Sequence, residues 1–191
     1  MNFKEESLEN IIWQNAQSEK GRTQLLDRGL IVSEYVKRQI DLGCYGRLDL
    51  LDVYYNEETD RIVLDVIELK KESITIDALM QAARYVTGIK EHIQELNLDI
   101  DIEITLVGEN IDLRTNFVYL LNYLSNVRVI TYNYSIDGIM FTQHENNWRL
   151  DKQNPINKES TGIIMSLIKQ GESLKEDFIK KIKEWKKTNL K

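Results

Sequence analysis

The chain has 191 residues, 42% hydrophobic and 29% charged, with 31 Asp and Glu against 25 Lys and Arg for a net charge of −6. This suits one globular domain with a substantial core, and it excludes a disordered chain and a protein that simply coats nucleic acid. The single cysteine, Cys44, has no internal disulfide partner and points to a reducing, cytoplasmic setting; with only two histidines in the chain, zinc sites built from Cys and His are out of reach.

The first ten residues, MNFKEESLEN, lack the apolar core of a signal peptide, and no stretch approaches the roughly 20 apolar residues that span a bilayer, so no membrane partner is expected. Residues 5 to 16 read as an amphipathic helix with Leu8, Ile11 and Ile12 inward and Ser7 as a candidate N-cap. Residues 17 to 29 are polar and punctuated by Gly21 and Gly29, a loop by composition. A short strand near Val36 to Leu42 leads to a turn between Gly43 and Gly46. Two strands, 47 to 55 and 61 to 71, then form an antiparallel hairpin around the polar stretch NEETD. Residues 74 to 96 carry Leu79, Ala83, Val86, Ile89, Ile93 and Leu96 at helical spacing. A strand over 100–108, a helix over 114–124 and a strand over 127–135 follow, with a hairpin at Asp137-Gly138. This order defines an α/β class with a mixed sheet.

The expected domain is 1–142, followed by a polar linker at 143–158 and a helical extension at 159–191 with Phe178, Ile182 and Trp185 on one stripe. Residues 175 to 191 hold seven lysines against three acids, which reads first as a solvated helix face.

There is no phosphate loop of the G-x-x-x-x-G-K-[ST] type and no Gly-rich dinucleotide fingerprint, so no nucleotide cofactor is expected. His92 and His144 read as incidental surface residues rather than members of a triad. The informative stretch is VLDVIELKK, 63 to 71, where an apolar strand ends in charge. Positions two apart on a strand share a face, so Glu68 and Lys70 point the same way, and Asp49 on the partner strand lies close to them. Acid-x-Lys by itself is weak, since Glu184-Trp185-Lys186 repeats it on a helical pattern where the two charges diverge. On the following helix Gln81 and Tyr85 are four apart and share a face.

Taken together, Gly46-Arg-Leu-Asp49, Glu68-Leu-Lys70 and Gln81-Ala-Ala-Arg-Tyr85 resemble the PD-(D/E)xK nuclease superfamily, in its Q-x-x-x-Y branch with RecB-type domains and NucS-like endonucleases. The resemblance covers residues 5 to about 142 and is specific over 36 to 86. It implies a restriction-endonuclease-like core, with an added C-terminal helix in this chain, and a deoxyribonuclease that hydrolyses phosphodiester bonds with Mg²⁺ or Mn²⁺. Asp49, Glu68 and the Leu69 backbone carbonyl would hold the metal, and Lys70 would position the attacking water. Gln81 and Tyr85 would orient the nucleophile or the strand. A first-helix glutamate would join them, Glu9 by its Leu-Glu context or else Glu6. Arg47, Arg84 and Lys71 are candidates for phosphate contact. The substrate implied is DNA, and a homodimer is compatible with the pattern. RNA as substrate, or a nuclease-fold module that binds or assembles without cutting, are the alternatives.

Overall fold

The computed structural model of the protein describes residues 5–96, 100–115 and 117–145, with 166 and 180 as isolated helical positions. Contacts divide the chain into two units, Met1–Arg149 and Leu150–Lys191. The expected helical extension, its Phe178–Trp185 stripe and most of the expected linker lie outside the described residues.

The elements run α1 (Glu5–Ala16), α2 (Glu19–Asp27), β1 (Lys37–Asp41), a 3₁₀ turn (Gly43–Tyr45), β2 (Arg47–Asn56) and β3 (Arg61–Leu69). They continue with β4 (Ser73–Ile74), α3 (Ile76–Leu96), β5 (Ile100–Gly108), β6 (Asn110–Ile111), α4 (Phe117–Leu121), β7 (Val127–Ser135) and β8 (Gly138–His144). Six strands form one sheet in the order β1-β2-β3-β5-β7-β8, while β4 and β6 make a small parallel pair. The β3–β5 and β5–β7 pairs are parallel and the rest of the large sheet is antiparallel, so the sheet is mixed.

Burial follows from side-chain spacing. Leu8, Ile12 and Ala16, four apart along α1, form one fully buried stripe and pack with Leu25 of α2 against Leu50, Ile67, Leu69, Ile130 and Phe141 of the sheet. On the other face Leu79, Ala82, Tyr85, Val86 and Ile89 of α3 and Phe117 and Leu121 of α4 cover Val66, Ile104, Leu106 and Val129. β3 is therefore covered on both sides, which is why its interior is a nearly unbroken apolar run. Its one buried interruption before the end, Asp65, accepts hydrogen bonds from Thr105 at 2.9 Å and Arg128 at 2.6 Å, and burial still raises its carboxyl to about 6. No described helix is long and apolar enough to cross a membrane.

Four boundaries differ from the sequence expectation. Ser7 lies inside α1, which starts at Glu5, and so is not its N-cap. Residues 19–27 are helical rather than loop: Ser18 caps α2 by accepting from the Gly21 N–H at 3.1 Å. The expected helix over 114–124 is α-helical only at Phe117–Leu121, because Asn122, Tyr123 and Leu124 bond back three residues instead of four. β3 ends at Leu69, leaving Lys70 and Lys71 just beyond the strand.

Gly21 sits where α2 crosses α1 so closely that an added Cβ would lie 2.1 Å from the Asn15 carbonyl oxygen. Gly21→Ala must push the two helices apart and is expected to destabilise the fold by about 1–3 kcal/mol, the usual cost of overpacking. A urea midpoint equal to that of the unaltered chain would show that this crossing does not constrain the fold.

Candidate active site

The site lies where the two strands of the hairpin part. The β2–β3 ladder runs as far as the Leu50–Ile67 pair. At the next position the Leu69 N–H donates not to a strand carbonyl but to Asp49 Oδ2, at 2.9 Å. On the other side of β2 the ladder to β1 is missing at Gln39, opposite Asp49, where Gln39 takes φ +53. A non-glycine residue in this left-handed region is uncommon and marks a locally constrained backbone. Asp49 thus sits between two interruptions of regular pairing. Gly46, at φ +98, enters β2 against α3, where a Cβ would come within 3.2 Å of both Arg84 and Tyr85.

Glu68, next on β3, is 1% exposed. Its Oε1 lies 2.6 Å from Lys70 Nζ, and its Oε2 is buried with no hydrogen-bond partner among the described residues. Lys70 Nζ also donates to Gln81 Oε1 at 3.3 Å, and Gln81 Nε2 donates to the Tyr85 hydroxyl at 2.7 Å. Glu68, Lys70, Gln81 and Tyr85 therefore form one connected chain from the sheet to α3. The backbone just past β3 is held firmly. Lys70 N–H donates to the Val107 carbonyl at 2.7 Å, Lys71 N–H to Glu5 at 3.2 Å, and the Tyr132 hydroxyl to the Lys71 carbonyl at 2.7 Å.

Electrostatics set this cluster apart. Burial, with a contribution from the Glu5 and Glu9 charges, raises the Asp49 carboxyl to about 6, although the Leu69 N–H and Lys70 act against it. Burial and then the Asp49 charge raise Glu68 to about 7, against the pull of Lys70. Burial disfavours the Lys70 ammonium, but Glu68, Glu5 and Asp49 outweigh that and raise its pKa. An open cavity of about 630 Å³ leads to Asp49 and is lined by Glu5, Glu6, Glu9, Asn10, Arg38 and Gln39 as well.

Of the sequence candidates, Asp49, Glu68, Lys70, Gln81 and Tyr85 are brought together. Glu9 lines the cavity and is buried, but it accepts from the Gln39 side chain and lies 3.8 Å from Arg38. Glu6 stands at the exposed rim. Glu5, overlooked in the sequence, is the first-helix acid that bonds to the segment carrying Lys70 and acts on Asp49, Glu68 and Lys70 alike. The signal was present, since Glu5 and Glu9 are four apart and share a helix face. Arg38 and Gln39 were also missed; nothing in a short charged strand distinguishes them. Arg47 pairs with Asp41 at 3.9 Å, and the Arg84 guanidinium lies 5.7 Å from the centre of the Tyr85 ring. Lys71 meets the cluster through its backbone.

Comparison of the chain with family models, curated proteins and solved structures found no match. No group of three or more His, Cys, Asp or Glu side chains among the described residues is arranged to hold a metal. The donor set implied by the resemblance is smaller: two carboxylates and a backbone carbonyl. It fits this cluster on one structural observation, the buried and unpartnered Glu68 Oε2 beside a second desolvated carboxylate.

A pKa raised by folding contributes stability that is present at low pH and lost as pH rises through the folded value. For Asp49 that loss runs from about pH 4 to about pH 6. Asp49→Asn keeps an acceptor for the Leu69 N–H but removes the charge. In metal-free buffer it is expected to melt a few degrees above the unaltered chain at pH 8, to keep about half of that advantage at pH 5 and to lose most of it by about pH 4. Melting curves followed by circular dichroism test this, and the background slope from Asp65 is common to both proteins. A variant that is less stable at pH 8 would overturn the electrostatic account of Asp49.

Proposed function

We propose that the protein is a metal-dependent nuclease of the PD-(D/E)xK type, with a restriction-endonuclease-like core, acting as an endonuclease on DNA. The observation that carries this reading is the connected set Asp49, Glu68, Lys70, Gln81 and Tyr85, gathered where β2 and β3 part. Each residue pair has an ordinary structural explanation; their linkage in one cluster, with Asp49 at the wall of an open cavity, is what supports chemistry.

Asp49, Glu68 and the Leu69 carbonyl are hard oxygen donors, suited to Mg²⁺ or Mn²⁺. Bound there, such an ion would supply Lewis acidity at a phosphoryl oxygen and acidify a bound water. The protein's own residues have separable tasks. Asp49 and Glu68 present carboxylates whose charge burial penalises, so a bound cation would offset that cost and compete with the proton for them. Lys70, fixed by Glu68 and Gln81, offers an ammonium for the negative charge that develops on an attacked phosphate. Gln81, anchored by the buried Tyr85, keeps that ammonium aimed.

Cleavage of plasmid DNA in Mg²⁺ or Mn²⁺ tests the proposal, alongside matched DNA and RNA oligonucleotides. Chelation with EDTA and Asp49→Asn are each expected to abolish cleavage. Lys70→Met keeps the stem and the fold, and should reduce cleavage about 10²-fold or more while sparing metal binding. Lys71→Met should cut nearly normally. Full activity in Lys70→Met, where Asp49→Asn is inactive, would reduce the lysine to an ion-pair partner. Absence of cleavage of either nucleic acid by the unaltered protein would overturn the nuclease reading.

A further inference from the structure

The cavity above Asp49 poses an electrostatic problem. Three carboxylates of α1 and Asp49 line it, yet the substrate proposed for it is a polyanion. Among the described residues one cation lines it, Arg38 of β1. That side chain is held in place by α1. Its Nη1 donates to Asn10 Oδ1, the guanidinium carbon lies 4.1 Å from the centre of the Trp13 ring, and Glu9 Oε1 is 3.8 Å away. Nε and Nη2 have no hydrogen-bond partner among the described residues. A guanidinium fixed along one edge and open along the other is prepared for a forked contact to an anion, with little side-chain freedom left to lose.

The ordinary role for Arg38 is to neutralise Glu9. That account is incomplete, because Glu9 already accepts a hydrogen bond from Gln39 and the pair to Arg38 is long at 3.8 Å. The backbone supplies a further indication. Gln39, immediately after Arg38, adopts φ +53 at the position where β1 fails to pair with Asp49. The constraint falls where the chain passes the cavity, so Arg38 and Asp49 are held on adjoining walls of one opening.

We propose that Arg38 is the phosphate-binding residue of this cavity, taking a phosphodiester of the nucleic-acid strand that flanks the one presented to Asp49 and Lys70. The proposal rests on the nuclease reading and adds a subsite to it: a strand enters past α1 with one backbone phosphate on the Arg38 fork, offsetting the acidic wall. Arg47 and Arg84 lie outside the lining of this cavity.

Fluorescence anisotropy with fluorescein-labelled single-stranded and duplex oligodeoxynucleotides tests it, in a Lys70→Met background with EDTA present so that binding is read without cleavage. Arg38→Met is expected to weaken binding about 10-fold, the value of one charge-assisted contact, and to lower the slope of log affinity against log salt by about 1. Replacing single linkages with neutral methylphosphonate should reveal one position that costs the Arg38 protein about 10-fold and the Arg38→Met protein nothing. Arg38→Lys, which keeps the charge beside Glu9 but loses the fork, should fall between the two and guards against a folding defect in the Met variant. Unchanged affinity and salt slope in Arg38→Met would overturn the proposal. So would a methylphosphonate cost that persists at the same linkage in that variant. Both outcomes leave the nuclease reading standing. Failure of the protein with native Arg38 to bind any of the oligonucleotides would overturn the two together.

Discussion

The peptide N–H of Leu69 is satisfied by the carboxylate of Asp49 where continued strand pairing would have offered a carbonyl. A backbone donor buried beside two covered strands needs a partner, and a side chain can supply one only if the neighbouring strand swings away. That exchange ends the β2–β3 ladder, gives β2 a separate course past Asp49, and leaves room for α1 to bring its acids to the gap. It also ties Asp49 to the residue between Glu68 and Lys70. The Asp49 carboxylate is thereby fixed by a main-chain group of the strand that carries Glu68, which gives a site on rigid elements its precision.

The arrangement stands on a central strand that is held from every side. β3 is flanked by β2 and β5 and covered on both faces, and the segment just after it is fixed by Val107, Glu5 and Tyr132. Only such a surround keeps two desolvated carboxylates together when their own electrostatics oppose it. The surrounding core absorbs this local electrostatic penalty.

Much of this was legible in the sequence, for physical reasons that differ by element. β3 announces itself because a strand buried on both faces must be largely apolar, and β5 and β7 do so through their many β-branched and aromatic residues. Glu68, Lys70, Gln81 and Tyr85 were legible because periods of two and four residues fix which side chains share a face. α2 was hidden: it places few apolar side chains inward, carries a glycine in its first turn, and exists because Ser18 caps it and Leu25 finds a pocket made by distant strands. The short α4 misled in the opposite sense, its periodicity continuing into residues whose hydrogen bonds have already tightened. Glu5 was within reach of the same spacing argument that found Gln81 and Tyr85, but its bond is to a backbone group sixty-six positions away. Gln39 was beyond reach, since no local signal foretells a left-handed glutamine.

The far edge of the sheet carries a different implication. The Phe141 N–H of β8 donates to the Arg28 carbonyl at 2.7 Å, and Gly29 meets Phe141 so closely that a Cβ would lie 2.3 Å from its carbonyl oxygen. The end of α2 is thus stitched to the last strand of the sheet, and Leu25 and Leu30 share one core with Ile139 and Phe141. During synthesis the two N-terminal helices emerge long before the strands that receive them. The end of α2 must wait until β8 has left the ribosome, and closure of this seam is a late and non-local step. A nascent chain halted before residue 139 would hold every residue of the Asp49 cluster and still lack the strand that seats the end of α2.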